Sequence, residues 1–164
     1  MILKNLNKNF LINVSLISLI FLLDRISKIY VIYLDKKNLN LEIFSSKFLN
    51  IHLIWNEGIA FGLLSFQKEN LYDILTVIIL IVILVILFIL TQNKGFKKYC
   101  YIMILGGALG NFFDRLFYKA VPDFIDFHVG NFHWFIFNLA DIFISIGIFF
   151  LIFLEFTDKS IEKI

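Results

Sequence analysis

Long apolar runs separated by polar segments dominate the chain. The first run, residues 10–34, starts FLINVSLISLIFLLD and continues to Leu34. The second, residues 71–90, is the purest: LYDILTVIILIVILVILFIL has no polar group after Thr76. Twenty helical residues measure about 30 Å, the thickness of a bilayer's hydrocarbon core. Two further runs cover residues 99–117 and 137–156. The pattern predicts an all-α membrane protein, a four-transmembrane-helix bundle forming one integral membrane domain over residues 1–164. The lysines ahead of the first run resemble the start of a secretory signal peptide. No small-x-small cleavage site follows, however, and the run outlasts a signal peptide's apolar core, so it reads as a retained helix.

Between the first two runs the hydropathy drops. Residues around Ile51–Trp55 alternate, and Gly58 and Gly62 follow. Alternation with β-branched residues predicts short strands, here a small extracytoplasmic β-platform over about 41–64, between helices 1 and 2. Trp55 suits an interfacial anchor. Residues 118–136 read as a loop. With four spans both termini share a side, where Lys4, Lys8, Lys94, Lys97, Lys98, Lys159 and Lys163 collect. By the positive-inside rule that side is the cytoplasm, and the platform and the 118–136 loop face outward.

Composition agrees with a membrane setting. The chain is 60% hydrophobic, against about 45–50% for a soluble domain. A net charge of +2 gives no reason to expect nucleic acid as a partner. The single cysteine, Cys100, excludes an internal disulfide and a thiolate metal cluster, and reads as a small buried apolar residue.

Ionisable groups are costly near hydrocarbon, so their positions carry the functional signal. Asp24 and Lys28 are spaced i,i+4, acid first, the favourable order for a helical ion pair. They serve either to neutralise each other or to face a substrate. The stretch Gly106–Asp141 holds four aspartates, an arginine, two histidines and the only proline. Gly106 and Gly110 form a small-xxx-small pair suited to close helix packing. Asn111, Asp114 and Arg115 share a helical turn, and Arg115 is the expected counter-charge of Asp114. Asp123 follows Pro122 and has no basic neighbour in sequence. Asp141 lies in the first turn of the last run, where an acid suits the helix dipole, and Asn138 is a candidate N-cap. Asn56 is open to turn chemistry or to binding a substrate backbone.

Acids at the outer ends of two neighbouring helices suggest one interfacial site. Paired carboxylates can share a proton, one acting as acid and the other as base on a water. A metal site at His128 and His133 lacks the H-E-x-x-H arrangement, so packing or interfacial roles are expected there, with no metal and no cofactor. Asp126 receives no role. Two rivals are a small ion- or proton-coupled transporter and a non-enzymatic assembly factor. A transporter needs polar residues through the midplane, and the second run has none; an assembly factor needs neither acid.

The motifs D-R-x-x-K (Asp24–Lys28), N-E-G-I-A-F-G (Asn56–Gly62), G-G-A-L-G-N-F-F-D-R (Gly106–Arg115), V-P-D-F-I-D-F (Val121–Phe127) and F-N-L-A-D (Phe137–Asp141) stand in order along nearly the whole chain. Together they resemble bacterial lipoprotein signal peptidase, or signal peptidase II. The resemblance implies an aspartic endopeptidase of the bacterial inner membrane. Such an enzyme removes signal peptides from diacylglyceryl-modified prolipoproteins, cutting just before the lipidated cysteine. It implies Asp123 and Asp141 as the catalytic dyad, with Asp24, Lys28, Asn56, Gly58, Gly110, Asn111, Asp114, Arg115, Asn138 and Ala140 supporting the site or binding substrate. The implied partners are lipid-modified prolipoprotein signal peptides, membrane lipid and globomycin-type inhibitors, with the enzyme a monomer. Pro122 stands where the family usually has an aliphatic residue.

Overall fold

The structure is a computed structural model that describes residues 2–37, 43–58 and 69–161. Its described residues form four helices: α1 (Ile2–Lys37), α2 (Glu69–Gln92), α3 (Gly95–Tyr118) and α4 (Leu139–Ile161). They also form four strands: β1 (Phe44–Ser45), β2 (Leu49–Asn56), β3 (Val121–Val129) and β4 (Phe132–Phe137). By length and composition, three helical segments suit a membrane crossing: Lys8–Lys37, Tyr72–Gln92 and Leu139–Thr157.

Helix α3 sits at the centre, packed against α1, α2 and α4. Its position accounts for its lower hydropathy: Ile102, Ile104, Leu105, Gly106, Gly107 and Gly110 face protein, and its charges lie near its ends. Ile20, Ile83, Leu90, Ile102 and Leu105 form the apolar core between the helices. Cys100 is buried, as its apolar setting suggested.

Small residues set the approach of α3 to two partners. A Cβ on Gly106 would stand 2.8 Å from Ile20 Cβ on α1, and one on Gly107 would stand 2.5 Å from the Ala140 carbonyl oxygen on α4. Gly110 meets the Asp24 carboxylate with equally little room. Gly107→Ala is therefore expected to push α3 from the start of α4, costing about 1–3 kcal/mol, as overpacking does. A thermal melt in detergent measures the loss, and an unchanged midpoint would contradict the tight contact.

The sheet differs from the predicted platform. It is antiparallel, in the order β1-β2-β3-β4, and half of it comes from the segment between α3 and α4 that reads as a loop. Platform residues 41, 42 and 59–64 lie outside the described residues. Gly130 opens the two-residue turn between β3 and β4 with φ 60°, a conformation glycine adopts without strain. Pro122 pairs with Trp55 of β2, while the β4 register begins only at Ile125. The missing proline N–H therefore falls where β3 has no partner on its other side. The fourth apolar run also starts later than 137 as a helix, because Phe132–Phe137 are strand and the helix begins at Leu139.

Candidate active site

Asp24, Lys28, Asn56, Asn111, Asp114, Arg115, Asp123, Asn138 and Asp141 meet at one place, where the sheet joins α1, α3 and α4. Asp123 is on β3, 3% exposed. Its two oxygens accept hydrogen bonds from two amides: Asn138 Nδ2 at 2.6 Å and Asn56 Nδ2 at 2.8 Å. Asn56 ends β2 and also accepts the Gly58 N–H at 2.9 Å. Its turn role and its site role are thus performed by one side chain. Gly58 in turn accepts a hydrogen bond from Arg115 Nη2 at 3.0 Å.

Asp141 arrives from the first turn of α4. Asn138 is the N-cap: its Oδ1 accepts the Asp141 N–H at 3.2 Å, and Asp141 Oδ2 accepts the Asn138 N–H at 3.2 Å. This reciprocal pair is a capping box. The other Asp141 oxygen accepts from Asn111 Nδ2 at 2.8 Å. Asn138 thus bonds to both carboxylates, through its side chain to Asp123 and its backbone to Asp141. Burial, and next the Asp141 carboxylate, push the Asp123 carboxyl up to about 6, against the pull of its two amide donors and Lys28.

Behind this pair lies a buried ionic cluster. Lys28 Nζ contacts Asp24 at 2.9 Å and Asp114 at 2.7 Å, and donates to Asn111 Oδ1 at 2.8 Å. Arg25 bridges the same acids, at 2.9 Å to Asp24 and 2.6 Å to Asp114. The Asp24–Lys28 pair forms as its spacing suggested. The expected Asp114–Arg115 pairing gives way to another arrangement. Adjacent helical residues project about 100° apart, so Asp114 turns to Lys28 and Arg25 of α1 while Arg115 turns to Gly58. Arg25 is the member that sequence reasoning left without a role; its signal was a second cation beside Asp24 in an apolar run. Asp24 also accepts the Ala140 N–H at 3.2 Å, tying α1 to the start of α4.

The amides orient the carboxylates, the ionic cluster orients Asn111, and the glycines allow the backbones to close. Two buried carboxylates joined through one residue, one holding its proton to a raised pH, have the chemistry that an acid–base pair requires. Asp126 lies on the same strand but turns to His133, whose Nδ1 is 2.8 Å from its Oδ2.

Residues 16–157 match the family model described as Signal peptidase (SPase) II. A lipoprotein signal peptidase of Pelagibacter ubique is 47% identical over 148 residues, covering 90% of this chain and 89% of that one. A lipoprotein signal peptidase of Anaplasma phagocytophilum is 35% identical over 151 residues, covering 92% and 95%. Among solved structures, one bacterial membrane enzyme is similar with a TM-score of 0.73 at 28% identity, over 90% of this chain and 89% of that one. A second has a TM-score of 0.68 at 26% identity, over 87% and 90%. With the family model covering all twelve of the predicted site residues, from Asp24 to Asp141, the chain belongs to the signal peptidase II family.

Proposed function

We propose that this membrane-embedded protein is an aspartic endopeptidase that cleaves the signal peptide from diacylglyceryl-modified prolipoproteins, just before the lipidated cysteine. The observation that carries the reading is the Asp123–Asn138–Asp141 linkage, in a chain whose family acts as signal peptidase II. The pair titrates as a unit, and between its two steps it holds a single proton. The carboxylate member takes a proton from water as the oxygen attacks the scissile carbonyl, and the protonated member gives its proton to the carbonyl oxygen. Collapse of the tetrahedral intermediate breaks the C–N bond, and a carboxyl proton passes to the leaving amine. Asn56 and Asn138 fix Asp123, and Asn111 fixes Asp141, so little reorganisation is needed.

The setting we infer is the bacterial inner membrane, with α3 as a fourth span. Its 24 residues reach about 36 Å, and its charges cluster at the two ends. Both termini then face the cytoplasm and the sheet lies at the outer face, where the lipid-modified substrate and globomycin-type inhibitors would enter. The enzyme is taken as a monomer.

The test is purified enzyme with a lipidated prolipoprotein. Mass spectrometry should find cleavage immediately before the diacylglyceryl-cysteine, and the unlipidated substrate should remain intact. Equal cleavage of both would overturn the substrate assignment. The pH profile gives a second check. The active pair needs its shared proton, and Asp123 beside a charged Asp141 releases it near 6. In kcat/KM, which reports the free enzyme, activity should fall as pH rises through that region. A profile flat from about pH 5 to 8 would contradict the shared proton.

A further inference from the structure

The far end of the β3–β4 hairpin carries a second polar cluster, which peptide hydrolysis does not use. Strand alternation places Asp126 and His128 on one face of β3, opposite that of Asp123. The register sets His133 of β4 directly across from His128. Their rings stack with centroids 5.0 Å apart and 21° between planes. His133 Nδ1 lies 2.8 Å and 3.0 Å from the two Asp126 oxygens. One donor atom from each of Asp126, His128 and His133 falls within 4.8 Å of the others. His128 Nδ1 is buried with no hydrogen-bond partner. An imidazole nitrogen in that state is costly. A histidine–carboxylate pair accounts for Asp126 and His133 and leaves that nitrogen unexplained.

We propose that Asp126, His128 and His133 form a binding site for one divalent transition-metal cation of the zinc class. Two imidazoles with a carboxylate suit Zn²⁺ or Co²⁺, whereas Ca²⁺ and Mg²⁺ take all-oxygen sets. Three protein ligands leave a fourth tetrahedral position for water. Donors bound at about 2.0–2.2 Å stand about 3.4 Å apart in such a site, within the 4.8 Å span that the three donor atoms already share. Asp126 is buried and anchors the site, while the His133 side chain is 51% exposed and gives the ion a way in. The ion would clip β3 to β4 and brace the strand that presents Asp123, taking no part in hydrolysis.

The experiment is a Co²⁺ titration of the tag-free full chain in detergent, followed by visible absorption. The expected result is saturation at one Co²⁺ per chain, with displacement by Zn²⁺ and a Zn²⁺-dependent rise in the melting temperature. His133→Ala should weaken binding by more than about 100-fold, beyond the loss typical of a disturbed ligand support, and should abolish the melting shift. His52→Ala removes the third histidine of the chain and should bind as the parent does. His128→Gln, which keeps packing volume, is the second ligand variant, and a metal-free melt shows that each variant is folded. No saturable binding, or binding unchanged in His133→Ala and Asp126→Asn, overturns the proposal and leaves a hydrogen-bonded His–Asp pair.

Discussion

Asparagine in place of Asp123 or Asp141 is expected to lower turnover of lipidated prolipoprotein by about 10⁴-fold, the upper end of the range for lost acid–base catalysis. The substitution keeps shape and volume and removes only the capacity to hold and pass a proton. In the proposed dyad each carboxyl is the partner of the other, so losing one disables both roles. The double variant should therefore be little worse than either single one, as for residues that act as a unit. Stability should move the other way. Asp123 is buried with its carboxyl held up to about 6, so its charged form is unfavourable in the folded protein above that pH. Asp123→Asn removes the penalty and should melt no lower than the parent at pH 7. Asp126→Asn should keep most of the activity, since that side chain turns to His133. A retained tenth of turnover in Asp123→Asn or Asp141→Asn would remove the dyad from the mechanism.

Much of the site was legible because its parts are local. The capping relation of Asn138 and Asp141 spans three residues, Asp24 and Lys28 share a helical face, and Asn56 sits at a turn with Gly58. What the sequence left hidden depends on long-range pairing. Asp114 takes its counter-charge from Arg25, 89 positions away, rather than from adjacent Arg115. No periodicity in the intervening chain encodes that choice; helix crossing at Gly106 and Gly110 makes it. The β3–β4 hairpin was missed for a similar reason. Val121–Val129 reads V-P-D-F-I-D-F-H-V, where Pro122 and the adjacent Phe124 and Ile125 break a strict alternation, and its partner β2 lies about seventy residues earlier. Short strands gain their stability from such partners. Helix α3 shows the converse: a helix lined by protein on several sides needs less hydropathy than one facing lipid, so composition understates its place in the bundle.

Removing Lys28 should cost more stability than any other single change in the site. Asp24, Arg25, Lys28 and Asp114 balance as two acids and two bases, and the side chains of Asp24, Lys28 and Asp114 are fully buried. Lys28→Met preserves length and apolar packing but leaves two carboxylates with one cation. Breaking a buried pair from one side costs about 3–5 kcal/mol, because the remaining charge has neither water nor partner. The expected result is a large drop in melting temperature with poor yield of folded protein. Adding Asp114→Asn restores electrical balance and should recover much of the stability, since a neutral buried set avoids the unpaired charge. Activity should not return with it. Lys28 also donates to Asn111, which orients Asp141, and neither methionine nor the new asparagine supplies that bond at the same place. Stability rescued while turnover stays low would separate the two duties of this lysine: neutralising buried acids, and holding Asn111 toward the proposed dyad. If Lys28→Met melts like the parent, the cluster is not the closed ionic brace described above. If the double variant regains turnover along with stability, Lys28 contributes through charge balance alone, and the orientation of Asp141 rests on Asn111 and the α4 cap.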